Sequence, residues 1–121
     1  MSVLIEFPNG KEWFHSNWIF RQLIEDVIKV AGDDGEVEHT LKHALSMGTL
    51  FLHPKEKYVL QRNLCYKIMR LMKEVVDRTF EGKFDGWSWH PDEESRQQMY
   101  FKALEDLLKL INEQEMPRSD R

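Results

Sequence analysis

The sequence predicts a mainly α fold: four helices in a bundle-like single domain, with a β-hairpin at the N-terminus. Three observations carry this expectation. Apolar residues recur at three- and four-residue steps over most of the chain, the period of a helix with one buried face. The first fifteen residues alternate in twos around an Asn-Gly pair, the signature of two strands and a tight turn. The chain has 121 residues, of which 41% are hydrophobic and 31% charged, which suits one core and excludes a wholly disordered polypeptide. The domain is expected to span 1–115, with 116–121 a polar tail that frays.

In the hairpin, Val3, Ile5 and Phe7 alternate with Leu4 and Glu6. Asn9-Gly10 supplies the positive backbone angles of a type I′ turn, and Glu12-Trp13-Phe14-His15 returns as the second strand. A lone hairpin is marginal in water, so Val3, Ile5, Phe7, Trp13 and Phe14 are expected to rest on the helices.

Ser16 or Asn17 caps a first helix over about 17–31, whose stripe is Trp18, Phe20, Leu23, Ile24, Val27, Ile28 and Ala31. Gly32 stops it. Asp33, with Glu36 three positions on, resembles a capping box and opens a second, weaker helix that Gly48 ends. Thr49-Leu50-Phe51-Leu52 is either a short third strand or an apolar connector. His53-Pro54 and His90-Pro91 each place proline where a helix start needs no N–H donor. The first opens a long helix to about Phe80, apolar on more than one face and hence central. The second opens a helix to about Gln114, with Met99, Tyr100, Ala103, Leu104, Leu107, Leu108 and Ile111 as its stripe. Between them lies a loop with two glycines and the large aromatics Phe84, Trp87 and Trp89.

Other classes are disfavoured. No apolar run approaches the ~20 residues a membrane helix needs. The N-terminus lacks the basic and long apolar stretches of a signal peptide. The single cysteine excludes a disulfide framework, and the expected location is the cytoplasm. The net charge is −4, but residues 54–80 alone are basic, at +4, between two flanks of −4 each. A basic central helix between acidic neighbours points to internal charge complementarity, with a basic stripe for an acidic partner as the alternative. The acidic whole disfavours nucleic acid.

Motifs that fix a reaction are missing. There is no phosphate-cradling glycine loop and no G-x-S-x-G elbow. Cys65 falls in an apolar stripe, where a thiol ionises poorly. Asp33-Asp34-Gly35-Glu36 superficially resembles a calcium loop, but the register would begin at Val30, which cannot ligate. Glu36, His39 and His43 share one helical face and form a possible set of zinc or iron ligands. They need a fourth group, for which His53, His90, Asp85 and Asp92 are candidates. The bland alternative is a solvated polar face. The adjacent acids Glu25-Asp26, Glu93-Glu94 and Glu105-Asp106 diverge by about 100° on a helix and read as solvated.

Three functions follow as expectations. The leading one is a small non-catalytic protein-binding protein, inhibitor- or immunity-like or an adaptor, with no cofactor. Phe84, Trp87 and Trp89 would fill a pocket on a protein partner while Asp85, Asp92 and Glu93 meet basic groups. The alternatives are a metal-binding protein or metal-dependent enzyme using Glu36, His39 and His43, and a homodimer paired through an apolar strip on the long or last helix.

Overall fold

The computed structural model describes residues 3–52, 59–81 and 94–114. Strands β1 (Val3–Glu6) and β2 (Glu12–His15) form the expected hairpin. Helices α1 (Asn17–Ala31) and α2 (Gly35–Met47) follow, then strand β3 (Thr49–Phe51), helix α3 (Val59–Phe80) and helix α4 (Glu94–Asn112). The fold is mainly α, with a small three-stranded sheet at the N-terminal end. The two proline-led helix starts and the tail at 116–121 lie outside the described residues.

The ambiguous segment 49–52 forms a strand over Thr49–Phe51. It pairs parallel with β1, which makes β1 the central strand in the order β2-β1-β3. Leu4 N–H donates to the Gly48 carbonyl at 3.3 Å, and Leu52 N–H to the Glu6 carbonyl at 2.8 Å. Gly48 makes this junction possible. It ends α2 in the left-handed region, at φ 76°, which a residue without Cβ adopts at no steric cost.

The hairpin turn differs from the expected two-residue Asn-Gly turn. Phe7 N–H donates to the Lys11 carbonyl and Gly10 N–H donates to the Phe7 carbonyl, both at 2.9 Å. Pro8 and Asn9 are therefore the central residues, and Gly10, at φ 86°, closes a three-residue loop. Proline explains the difference: its ring presets the first central position of a turn, one residue earlier than the Asn-Gly reading required. The start of α2 also moves by one. Asp34, not Asp33, is the cap, and its carboxylate accepts from Val37 N–H at 3.1 Å.

Every helix contributes one buried face to a common core. Ile19, Phe20, Leu23, Ile24 and Val27 come from α1, and Val37, Leu41 and Ala44 from α2. Ile68, Met69, Met72, Val75 and Val76 come from α3, and Tyr100, Ala103, Leu104, Leu107 and Ile111 from α4. As expected of a central helix, α3 packs on both α1 and α4. Among the described residues, the Lys67–Asp34 ion pair ties the basic α3 to an acidic flank. The Lys67 hydrogen bond holds the Asp34 carboxyl below its ordinary range. Cys65 is buried in α3, and burial pushes its thiol up, as its apolar setting implied.

Candidate functional site: the outer face of the sheet

Strand side chains alternate between two faces, and here the two faces have opposite character. The inner face carries Ile5 and Phe7 from β1 and its continuation, Trp13 from β2, and Leu50 and Leu52 from β3 and its continuation, all buried. The outer face is set by the register. Phe14 lies opposite Leu4, and Leu4 lies beside Thr49. In the next row Glu12 lies opposite Glu6, and Glu6 lies beside Phe51. Phe14 is 57% exposed and Phe51 60% exposed, while Leu4 between them is half-buried. Met47, at the C-terminal end of α2 two residues before β3, is 58% exposed.

Phe14 was expected to pack on the helices and does not. It cannot share a face with its neighbour Trp13 in a regular strand, and Trp13 holds the inner position firmly. The Trp13 indole N–H donates to the Ala103 carbonyl of α4 at 2.9 Å, so the ring fills the core and its polar edge is satisfied.

Helix α4 runs beside β2, and the helix and the two residues that follow it are pinned to the hairpin at three further points. His15 Nε2 stands 3.4 Å from the Asp106 carboxylate, and Lys11 Nζ 2.7 Å from Glu113. Asn9 N–H donates to the Gln114 side-chain oxygen at 3.2 Å. The Lys11 hydrogen bond holds the Glu113 carboxyl below its ordinary range. His15 also lies against the Trp13 ring, with centroids 4.6 Å apart. A shallow groove between β2 and α4 is lined by Trp13, Phe14, His15, Asp106 and Lys109, together with Lys11, Glu12, Leu110 and Glu113. It contains an imidazole–carboxylate couple, but none of its lining residues carries a hydroxyl or thiol for that couple to activate.

The sequence-predicted site residues fall into two groups. Phe84, Asp85, Trp87, Trp89, Asp92 and Glu93 lie outside the described residues. Glu36, His39 and His43 are all exposed along α2. Among the described residues, no three His, Cys, Asp or Glu side chains are grouped so that they could hold a metal ion.

Two polar groups in the core escaped the sequence reading. Asp26, expected in a solvated acidic pair with Glu25, is fully buried. The Tyr100 hydroxyl of α4 donates to its carboxylate at 2.8 Å and Gln22 Nε2 at 3.0 Å. Burial is the dominant influence and pushes the Asp26 carboxyl up to about 6, against the opposing effect of these two hydrogen bonds. The same burial, reinforced by the facing carboxylate, drives the Tyr100 hydroxyl well above its ordinary range. A signal for Asp26 was present: it stands seven residues after Ile19 and three after Leu23, in line with the buried stripe. The second group is the Thr79 hydroxyl on α3, buried with no hydrogen-bond partner among the described residues.

Among the described residues, no helix is long and apolar enough to cross a membrane. Compared with protein-family models, with curated proteins and with solved structures, the chain matches none.

Proposed function

We propose that this chain is a small non-catalytic binding protein, inhibitor- or adaptor-like, which acts in the cytoplasm by presenting the outer face of its sheet to a different protein. One observation carries the reading: Phe14 and Phe51 stand more than half exposed around Leu4, while the helical stripes converge on the core. Fully burying such a ring is worth about 1.5–3 kcal/mol, so two rings left in water on one face are a reservoir of binding free energy. The partner is a different protein because a second copy meeting this face would bring two more carboxylates, its own Glu6 and Glu12, to an interface that already holds two.

The test is site-specific photo-crosslinking in the source cells. A photoreactive phenylalanine replaces Phe14, Phe51 or, as a control on α2, the exposed Lys42. The expected result is one defined polypeptide joined through positions 14 and 51 and not through 42. A Phe14→Ser/Phe51→Ser variant with unchanged melting temperature should no longer capture it. Crosslinks no stronger at 14 and 51 than at 42 would refute the proposal.

Self-association is the competing reading, favoured by Phe80 and Met99, which are 45% and 51% exposed on α3 and α4. Light scattering that returns twice the 14.5 kDa chain mass, and returns to one chain mass in Phe80→Ser or Met99→Ser, would put it first.

A further inference from the structure

We propose that residues 94–101, the first two turns of α4, form a pH-gated flap, closed on α1 while the buried Asp26 carboxyl holds a proton and opened by its loss. This device is independent of the protein-binding reading. The ties of α4 to the hairpin start at Ala103, whose carbonyl takes the Trp13 indole N–H, and continue at Asp106, opposite His15. Just beyond the helix, Glu113 holds Lys11. The turns before Ala103 share none of these ties. Among their described side chains, Gln98 and Met99 are exposed, Gln97 and Phe101 are half-buried, and Tyr100 is buried. Phe101 meets Phe80 edge-on, with centroids 5.7 Å apart, at a rim where Phe80 is itself 45% exposed. Opening the whole helix would uncover Ala103, Leu104, Leu107 and Ile111 as well, whereas opening its first turns takes only Tyr100 from the fully buried set.

Tyr100 rests on a carboxyl that titrates. Asp26 of α1 is fully buried and accepts from the Tyr100 hydroxyl at 2.8 Å and from Gln22 Nε2 at 3.0 Å. Among the described residues, the charged groups that act on it are both on its own helix: Lys29 favours the ionised form and Glu25 opposes it. None comes from α2, α3 or β1, the other elements packed on α1. The Tyr100 hydroxyl, driven well above its ordinary range, keeps its own proton throughout. Burial outweighs Lys29 and the two hydrogen bonds, so the closed flap favours the neutral acid. With the flap open the carboxyl meets water and ionises near its ordinary 3.8, whereas under the closed flap it holds its proton up to about 6. The advantage of the closed form is therefore greatest in acid and declines as pH rises through about 6. Between about pH 5 and 8 this linkage makes opening about tenfold more frequent.

The test is amide hydrogen exchange of the full chain, followed by NMR and corrected for the intrinsic exchange rate at each pH. Protection of the amides of 98–102 should fall about tenfold between about pH 5 and 8. That loss should be insensitive to sub-denaturing urea, the mark of a local opening that exposes little surface. The amides of Leu107 and Leu108, on the fastened half of the helix, should stay better protected and respond to urea. Asp26→Asn, which cannot ionise, should flatten the pH response at 98–102. This variant keeps the His15–Asp106 pair, which is an ion pair only while the imidazole is charged, so a response that survives in it belongs to that pair and counts against the flap. Tyr100→Phe removes one donor to the carboxylate and should steepen the fall, which keeps the proposal testable even if the asparagine variant does not fold. A flat response in the parent chain, an equal response in Asp26→Asn, or loss of protection at 98–102 only through urea-dependent unfolding of the whole chain would overturn the proposal. Crosslinking at positions 14 and 51 bears on none of these outcomes, so the flap and the binding reading fail separately.

Discussion

The two faces of the sheet are drawn from alternate residues of the same strands, and they do opposite work. On the inner face Trp13 fills the core and bonds α4, with Ile5 directly across from it and Leu50 beyond. On the outer face Phe14, one residue later, has the same aromatic character and stays in water. The contrast teaches that composition does not decide whether a ring is structural. Parity along the strand decides it, together with which face the helices cover.

The largest effect that could break this comparison is in the two rings themselves. Trp13→Ala should lose about 3–5 kcal/mol of stability in urea unfolding, because it empties a core position and leaves the Ala103 carbonyl without its donor. Phe14→Ser and Phe51→Ser should each stay within about 0.5 kcal/mol of the parent. A loss of several kcal/mol at Phe14 would show that the outer face is closed after all.

Next in size is the polar exception on the inner side. The Asp26 carboxyl sits at about 6 when folded against an ordinary 3.8, so the folded state holds a proton that the unfolded state has released over that interval. The stability this proton confers is fully present below about pH 4 and is lost as pH rises through about 6. The difference corresponds to roughly 2–3 kcal/mol. Asp26→Asn should therefore flatten the fall in stability between pH 4 and 8 and raise the melting temperature at pH 8. A variant less stable than the parent at pH 8 would show that the ionised carboxylate is well accommodated.

Tyr100→Phe sharpens the same point. Removing the hydroxyl takes away the donor that opposes burial at Asp26, so the pH window should move upward, and stability at pH 7 should fall by about 1–3 kcal/mol. Smallest is Thr79→Val, which swaps a buried hydroxyl with no hydrogen-bond partner among the described residues for a methyl group. It should be neutral or stabilising by up to about 1 kcal/mol in the same unfolding measurement. A clear destabilisation would reveal a hydrogen bond made by that hydroxyl.

Much of the architecture was readable in advance because it rests on local rules. The limits of α1, the stop at Gly48, the end of α3 at Phe80 and both hairpin strands follow from period, capping and glycine, which act within a few residues. The start of α2 was placed one residue early because Asp33 and Asp34 are equally good caps, and only hydrogen-bond geometry chooses Asp34. The candidate site was less legible. The sequence points to the tryptophans at 87 and 89, which lie outside the described residues. Phe14 is expected on the helices, and its exposure, like that of Phe51, depends on which face of the sheet the helices cover.

The sequence by itself determined the helical class, the hairpin, the limits of most elements and the inert setting of Cys65, because each depends on neighbours within one or two turns of chain. Only the tertiary structure decided that 49–51 joins β1 in parallel, that α4 lies along β2, that Asp26 meets Tyr100, and that Phe14 and Phe51 share an open face. The contacts among these join residues 45 to 90 positions apart. Their outcome depends on which buried surfaces fit together, and no short-range pattern in the chain records that.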